Sequence, residues 1–252
     1  MSISKCCLLS RSFSALFAAL GLVWAVNSHA ASKPDEMQTI YKQAIASPSR
    51  TDDDRAADAK RKPLEFLKFS NVRPGMRVLD IAAGGGYTTQ LMALVIGSSG
   101  TVWAQGTEFK GALMKRVESS TQTNIIPVIV PFEDPVPNAA SNLDLITIVM
   151  NYHDIAYMPV DRTKMDQRLF DALKKGGHLV VMDHSAKAGS GISTAKTLHR
   201  IDEKVVMDEF QDAGFKLEQE GDFLRNPDDP RDQAFYDMKI PSDKFALRFV
   251  KP

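Results

Sequence analysis

Two groups of residues have types and spacings that could do chemistry. The first is a set of histidines with polar neighbours. His153 lies between Asn151 and Asp154, His184 follows Asp183, and His199 is followed by Arg200 and Asp202. Imidazole titrates near neutral pH and can take or give a proton, and an adjacent carboxylate or amide can orient it. His153, oriented by Asp154 or Asn151, is the first candidate for a general base, and His184 is the second. The second group is the run Val78-Leu79-Asp80-Ile81-Ala82-Ala83-Gly84-Gly85-Gly86-Tyr87-Thr88. Here an apolar stretch ends in an acid, then a glycine-rich turn opens a helix. Glycine lets backbone approach a ligand closely. A helix start adds free N–H groups and a positive dipole end.

Positioning these groups requires a framework. Residues 35–47 and 52–70 read as helical, with a break at Pro63. The charge between Arg50 and Lys62 suits either a solvated helix face or a lid over a ligand. From residue 71 onward strands and helices alternate: strand 77–81, helix 87–96, strand 101–105, helix 109–120, strands 125–131 and 143–150, helix 160–175, strand 178–183, helix 199–213. Such alternation implies a parallel sheet covered by helices on both faces. The strands 215–220 and 245–250 have only loop between them and suit an antiparallel pair. The expected class is therefore α/β, a doubly wound, Rossmann-like, seven-stranded sheet that is mostly parallel and carries an antiparallel C-terminal strand. Ligands of such sheets sit at the carboxyl edge. His153, His184 and His199 should converge there, with His178 at the opposite edge.

A dinucleotide fingerprint starting at Gly84 requires glycine or alanine at its sixth position, where this chain has Thr89. Asp80 suits a cationic ligand such as S-adenosylmethionine, with its ammonium and sulfonium, better than it suits a pyrophosphate. Asp80, Gly84 and Gly86 resemble motif I of class I S-adenosylmethionine-dependent methyltransferases, with Ala82 in place of the first glycine. That alanine is expected to need a negative φ. The strings Asn151-Tyr152-His153-Asp154, Met182-Asp183-His184-Ser185, Thr197-Leu198-His199-Arg200-Ile201-Asp202 and Phe223-Leu224-Arg225-Asn226-Pro227 resemble predicted exported methyltransferases of bacteria. The resemblance implies S-adenosyl-L-methionine as cofactor, held by Asp80, Ala82, Gly84, Gly86 and Tyr87. It implies a ribose acid at the end of the second strand, where Glu108 stands about two residues late and Gln105 is a weaker substitute. Phe132 and Glu133 occupy the position that flanks the adenine. The implied activity is methyl transfer from the sulfonium; the resemblance does not name the acceptor, for which a small molecule is the expectation.

Two alternatives stay open. One is a periplasmic binder of adenosyl compounds without catalysis. The other is a metal-dependent enzyme using His153, His184, His199 and a carboxylate, although no short HxxxH spacing marks a metal site. Residues 1–30 read as a signal peptide: basic Lys5 and Arg11, an apolar run from Phe13 to Val26, and Ser28-His29-Ala30 before the cut. Residues 31–70 then form a helical extension or lid, and residues 71–252 the methyltransferase-like domain. The mature chain is expected in the periplasm or medium, with no stable membrane insertion. Without the peptide, 29 basic residues face 31 acidic ones and no cysteine remains. This excludes disulfides and thiol catalysis and argues against a general nucleic-acid binder.

Overall fold

The computed structural model describes residues 34–109, 111–119 and 122–252. The expected signal peptide lies outside these residues.

Three helices precede the sheet: α1 (Pro34–Ala46), α2 (Asp52–Arg61) and α3 (Pro63–Ser70). A capping box starts α2, because the Thr51 hydroxyl accepts from the Asp54 N–H while the Asp54 carboxylate accepts from the Thr51 N–H. Acids fill its first turn, and Lys60 and Arg61 its last, both favourable to the helix dipole. Lys62 then turns left-handed at φ 49°, and Pro63 starts the next helix, for which its fixed φ is suited. The break expected at Pro63 is present.

The remainder runs β1 (Arg77–Ile81), α4 (Tyr87–Ile96), β2 (Thr101–Gly106), α5 (Ala112–Ser119), β3 (Ile125–Ile129), β4 (Leu143–Val149), α6 (Tyr152–Tyr157), α7 (Arg162–Ala172), β5 (Leu173–His184), α8 (Ala195–Leu198), α9 (Glu203–Asp212), β6 (Lys216–Gly221) and β7 (Lys244–Val250). The strands form one sheet in the order β3-β2-β1-β4-β5-β7-β6. Strands β1 to β5 pair in parallel, and β7 runs antiparallel to both β5 and β6. This is the α/β architecture expected from the alternation, with β7 lying inside the edge strand β6.

Side-chain alternation along the strands divides the core into two layers. Leu79 and Ile81 face a cluster with Tyr152, Leu169 and Phe210 from α6, α7 and α9. Val78 faces a cluster with Tyr41, Leu67 and Leu91 from α1, α3 and α4. Residues 33–252 form one compact unit, and α1 and α3 are built into its core. Tyr41 also donates to the Val72 carbonyl at 2.8 Å.

Two helix boundaries differ from expectation. The helix expected over 160–175 ends at Ala172, because Leu173 is already extended and pairs with Leu143 at the start of β5. A Cβ at Gly177 would stand 2.9 Å from the Leu143 carbonyl, so this approach needs glycine. The helix expected over 199–213 starts only at Glu203. Ile201 donates to the His184 carbonyl at 3.0 Å, which holds this stretch beside β5 instead of in a helix. Helix α6, which carries His153, was not anticipated; six residues are too few to show a helical period.

Candidate functional site

β1 and β4 are neighbours, while the chain continues to β2 on one side and to β5 on the other. Such a reversal opens a crevice beyond the carboxyl ends of the two strands. The loop after β1 and the turn after β4 form its walls. A cavity of about 290 Å³ lies there, lined among others by Arg61, Asp80, Gly84, Gly85, Met150 and Asn151.

The loop conformation is locked from both sides. Ala82 donates its N–H to Gln105 Oε1 at 3.0 Å, and its carbonyl accepts from Asn151 Nδ2 at 3.1 Å. Between these bonds Ala82 takes φ 52°, so the expectation of a negative φ is overturned. An alanine there costs about 1–2 kcal/mol, which the two flanking bonds and the packing of the loop must outweigh. The Gln105 amide is fully buried and also donates to the Val130 carbonyl at 2.8 Å. It ties the loop to β2 and the end of β3, so it cannot also bind a ribose.

Asp80 is buried behind the loop. Its carboxylate accepts from Thr89 at 2.6 Å and from Thr147 at 2.7 Å, joining β1 to α4 and β4. Burial pushes its carboxyl up to about 6, against the opposing effect of the two hydroxyl bonds. A cation entering the cavity would restore the charge that burial disfavours.

Helix α2 is pinned onto this loop. Arg116 of α5 pairs with the Asp54 carboxylate at 2.7 Å, donates to the Gly85 carbonyl at 2.6 Å and reaches Gln90. Tyr87 donates to Asp58 at 2.6 Å, and Arg50 closes the set on Asp58. Arg61 sits 4.7 Å above the Tyr87 ring and lines the cavity. The charged run of α2 therefore meets the loop as well as solvent.

The histidines expected at the carboxyl edge do converge. His153 Nδ1 meets Asp183 Oδ1 at 2.6 Å, and Asp183 also accepts from the backbone N–H of His153 and of His184. Asp183, and not Asn151, therefore orients the His153 ring; the Asn151 amide is spent on Ala82 and Val149. The His153 Nε2 atom points to Asp154 Oδ1 at 3.3 Å, and His199 Nδ1 reaches the same oxygen at 2.9 Å. Burial opposes a charge on His153, but the Asp183 carboxylate outweighs it and holds the group above its ordinary value. His184 differs. Its ring stacks on Phe235 with centroids 3.8 Å apart, its Nδ1 bonds to Ser242, and burial pushes it down to about 2. His184 thus packs against Phe235, and its burial favours the neutral ring. His178 lies away from this edge, paired with Glu218.

Gly86 caps α4 at φ 82°, where a Cβ would strike Leu113 at 2.7 Å, so it serves helix packing. Tyr87 reaches the cavity, whereas Glu108, Phe132 and Glu133 are outside its lining. Glu108 is exposed beyond β2, and Phe132 packs against the core. Phe235 and Asp229 carried no signal in the sequence, and Asp183 and Arg200, noted there beside His184 and His199, act elsewhere: Asp183 on His153, and Arg200 in a buried pair with Asp229 at 2.8 Å. Arg200 also donates to the Ser185 and Gln233 carbonyls and so holds the segment carrying Phe235 over His184.

The family model described as Protein-L-isoaspartate(D-aspartate) O-methyltransferase matches residues 38–139. A ubiquinone/menaquinone biosynthesis C-methyltransferase of Laribacter hongkongensis is 30% identical over 122 residues, 47% of this chain and 47% of that protein. The corresponding Bordetella avium protein is 32% identical, over 47% of this chain and 45% of that one. The chain thus spans about half the length of the curated relatives it matches. Among solved structures, a SAM dependent methyltransferase from Aquifex aeolicus superposes with a TM-score of 0.58 at 16% identity, covering 88% of this chain and 100% of that one. An S-adenosylmethionine dependent methyltransferase from Mesorhizobium loti gives 0.57 at 14% identity, covering 77% and 99%.

Proposed function

We propose that this chain, a member of the class I S-adenosylmethionine-dependent methyltransferase superfamily, transfers a methyl group to a small-molecule acceptor docked at the His153 edge. The observation that carries this reading is the adjacency of two sites. Asn151 lines the Asp80–Gly85 cavity and also starts α6, the helix that holds His153 and Asp154.

The residues present fit the cofactor. Asp80 offers a carboxylate to its ammonium group, and the first turn of α4 with Arg61 offers N–H groups and positive charge to its carboxylate. Above Gly84, at φ 54°, a Cβ would meet only the Ala82 carbonyl at 3.9 Å, which leaves room for a ligand against the backbone. When bound, S-adenosylmethionine supplies an electrophilic methyl carbon: the bond to the acceptor forms as the carbon–sulfur bond breaks and its electron pair leaves on sulfur. The protein's part is mainly positioning. Helix α2, pinned by Asp54 and Asp58, covers the loop and limits water. The acceptor's proton is lost at the edge built on His153, whose ring Asp183 fixes. Export of the chain after removal of residues 1–30 belongs to the same proposal, and N-terminal sequencing of the secreted protein should begin at Ala31.

The test uses methyl-labelled S-adenosylmethionine with a panel of small hydroxylated aromatic acceptors and an envelope small-molecule extract. Wild type should label a product. His153→Ala should bind the cofactor with unchanged affinity and lose transfer by about 10²–10⁴-fold. Equal turnover by His153→Ala would remove His153 from the chemistry.

A further inference from the structure

Resting on the reading of the His153 edge as the acceptor's side of the site, we infer that His153, Asp154 and His199 hold one divalent transition-metal ion. One ligand atom from each, an imidazole nitrogen of His153 and of His199 and a carboxylate oxygen of Asp154, lies within 4.8 Å of the other two. Ligands about 2.1 Å from a shared ion stand roughly 3.0 Å apart in octahedral geometry and roughly 3.4 Å apart in tetrahedral geometry. The Asp154 oxygen is 2.9 Å from His199 Nδ1 and 3.3 Å from His153 Nε2, so both edges already have ligand-to-ligand lengths.

The hydrogen bonding around His153 points the same way. Asp183 is fully buried, and its carboxylate already accepts two backbone N–H groups besides taking the Nδ1 proton of His153. That fixes the ring's orientation, with Nε2 aimed at the Asp154 carboxylate oxygen 3.3 Å away. In the neutral ring this contact calls for a cation between nitrogen and oxygen, a place that a proton or a metal ion can take. A buried carboxylate on the far nitrogen of an imidazole is also the usual support of a metal-bound histidine. Two imidazoles and one carboxylate favour zinc, iron or manganese over calcium or magnesium, which take oxygen ligands. His184 is not part of the set, since its nitrogen is engaged by Ser242 and its face by Phe235.

Three protein ligands leave positions open on the ion. The rings of Tyr157 and Tyr236 lie 6.2 Å and 5.5 Å from that of His199. A planar acceptor bearing a hydroxyl group, with its oxygen on the ion, would have these rings to pack against. Coordination lowers the pKa of a bound hydroxyl, so the acceptor's proton would leave to water and its oxyanion would stay on the ion.

The test is elemental analysis and calorimetric titration of the untagged full chain with Zn²⁺, with Mn²⁺ and Mg²⁺ as further arms. One equivalent of Zn²⁺ should bind, and Mg²⁺ should bind far more weakly. His199→Ala and Asp154→Asn should each lose Zn²⁺ binding while keeping the circular dichroism of the fold. Asp183→Asn should weaken it by about 10–100-fold, and His178→Ala should leave it unchanged. Absence of a stoichiometric metal, or equal affinity in His199→Ala, overturns the assignment. Titrating S-adenosylmethionine in parallel separates the two readings. Full methyl transfer by chelator-treated, metal-free protein removes the metal alone. Zn²⁺ binding without any cofactor binding removes the methyltransferase reading and leaves the metal site standing.

Discussion

Asp80→Asn separates what this carboxylate does for the ligand from what it costs the fold. The side chain is buried, and its two oxygens accept from Thr89 and Thr147. Asparagine keeps the shape, and either hydroxyl can rotate to accept from the amide. In the folded protein burial raises the carboxyl from 3.8 to about 6. A group with a raised folded value contributes stability that is fully present below 3.8 and is lost as pH rises through about 6. The loss at neutral pH comes to about 3 kcal/mol, at 1.36 kcal/mol for each pH unit. Asp80→Asn should therefore raise the melting temperature by several degrees at pH 7, with the gain growing between pH 4 and 6 and level above that. Cofactor affinity should move the other way. Losing a charge-assisted bond to an ammonium removes about 1.5–3 kcal/mol, or roughly 10–100-fold in Kd. In the wild type, affinity should fall as pH drops below about 6, because the protonated carboxyl no longer attracts a cation. Thermal melts from pH 4 to 8, with calorimetric titrations of S-adenosylmethionine at the same pH values, measure both effects. Unchanged affinity in the variant, or a lower melting temperature at pH 7, would refute this reasoning.

Other residues give independent outcomes. Ala82→Gly should stabilise the protein by about 1 kcal/mol, because glycine takes φ 52° without the Cβ clash; a melting temperature at or below that of wild type counts against the left-handed turn. Asp166 is buried beside Glu209 with one oxygen unpaired, and burial pushes its carboxyl up to about 8. Its contribution is full below 3.8 and lost as pH rises through about 8, so Asp166→Asn should gain stability over wild type across that range, read from melts between pH 4 and 9. Arg61→Ala should weaken S-adenosylmethionine about tenfold without lowering the melting temperature; equal affinity in calorimetry would remove Arg61 from the cofactor site.

The parts of the fold legible in the sequence were those with a strong local period. β1, α4 and the alternation after them announce a parallel sheet, and Pro63 marks its helix break. The lone antiparallel strand followed from two late strands without a helix between them. Boundaries set by tertiary contact were hidden: Ile201 is held by the His184 carbonyl, and Leu173 by its pairing with Leu143. At the site, the convergence of three histidines followed from topology alone. Their division of labour did not, because it depends on distant partners. Asp183 precedes His184 in the chain yet orients His153, while Ser242 and Phe235 engage the His184 ring from a distant segment. Gln105 looked like a weak ribose ligand because its position is right; only the structure shows both ends of its amide occupied.

The most direct test of the account is a calorimetric titration of the purified protein with S-adenosylmethionine and S-adenosylhomocysteine near pH 7.5, where Asp80 is charged. The account predicts saturable binding of one equivalent and a rise in melting temperature with ligand concentration. No heat and no thermal shift at millimolar ligand would contradict it.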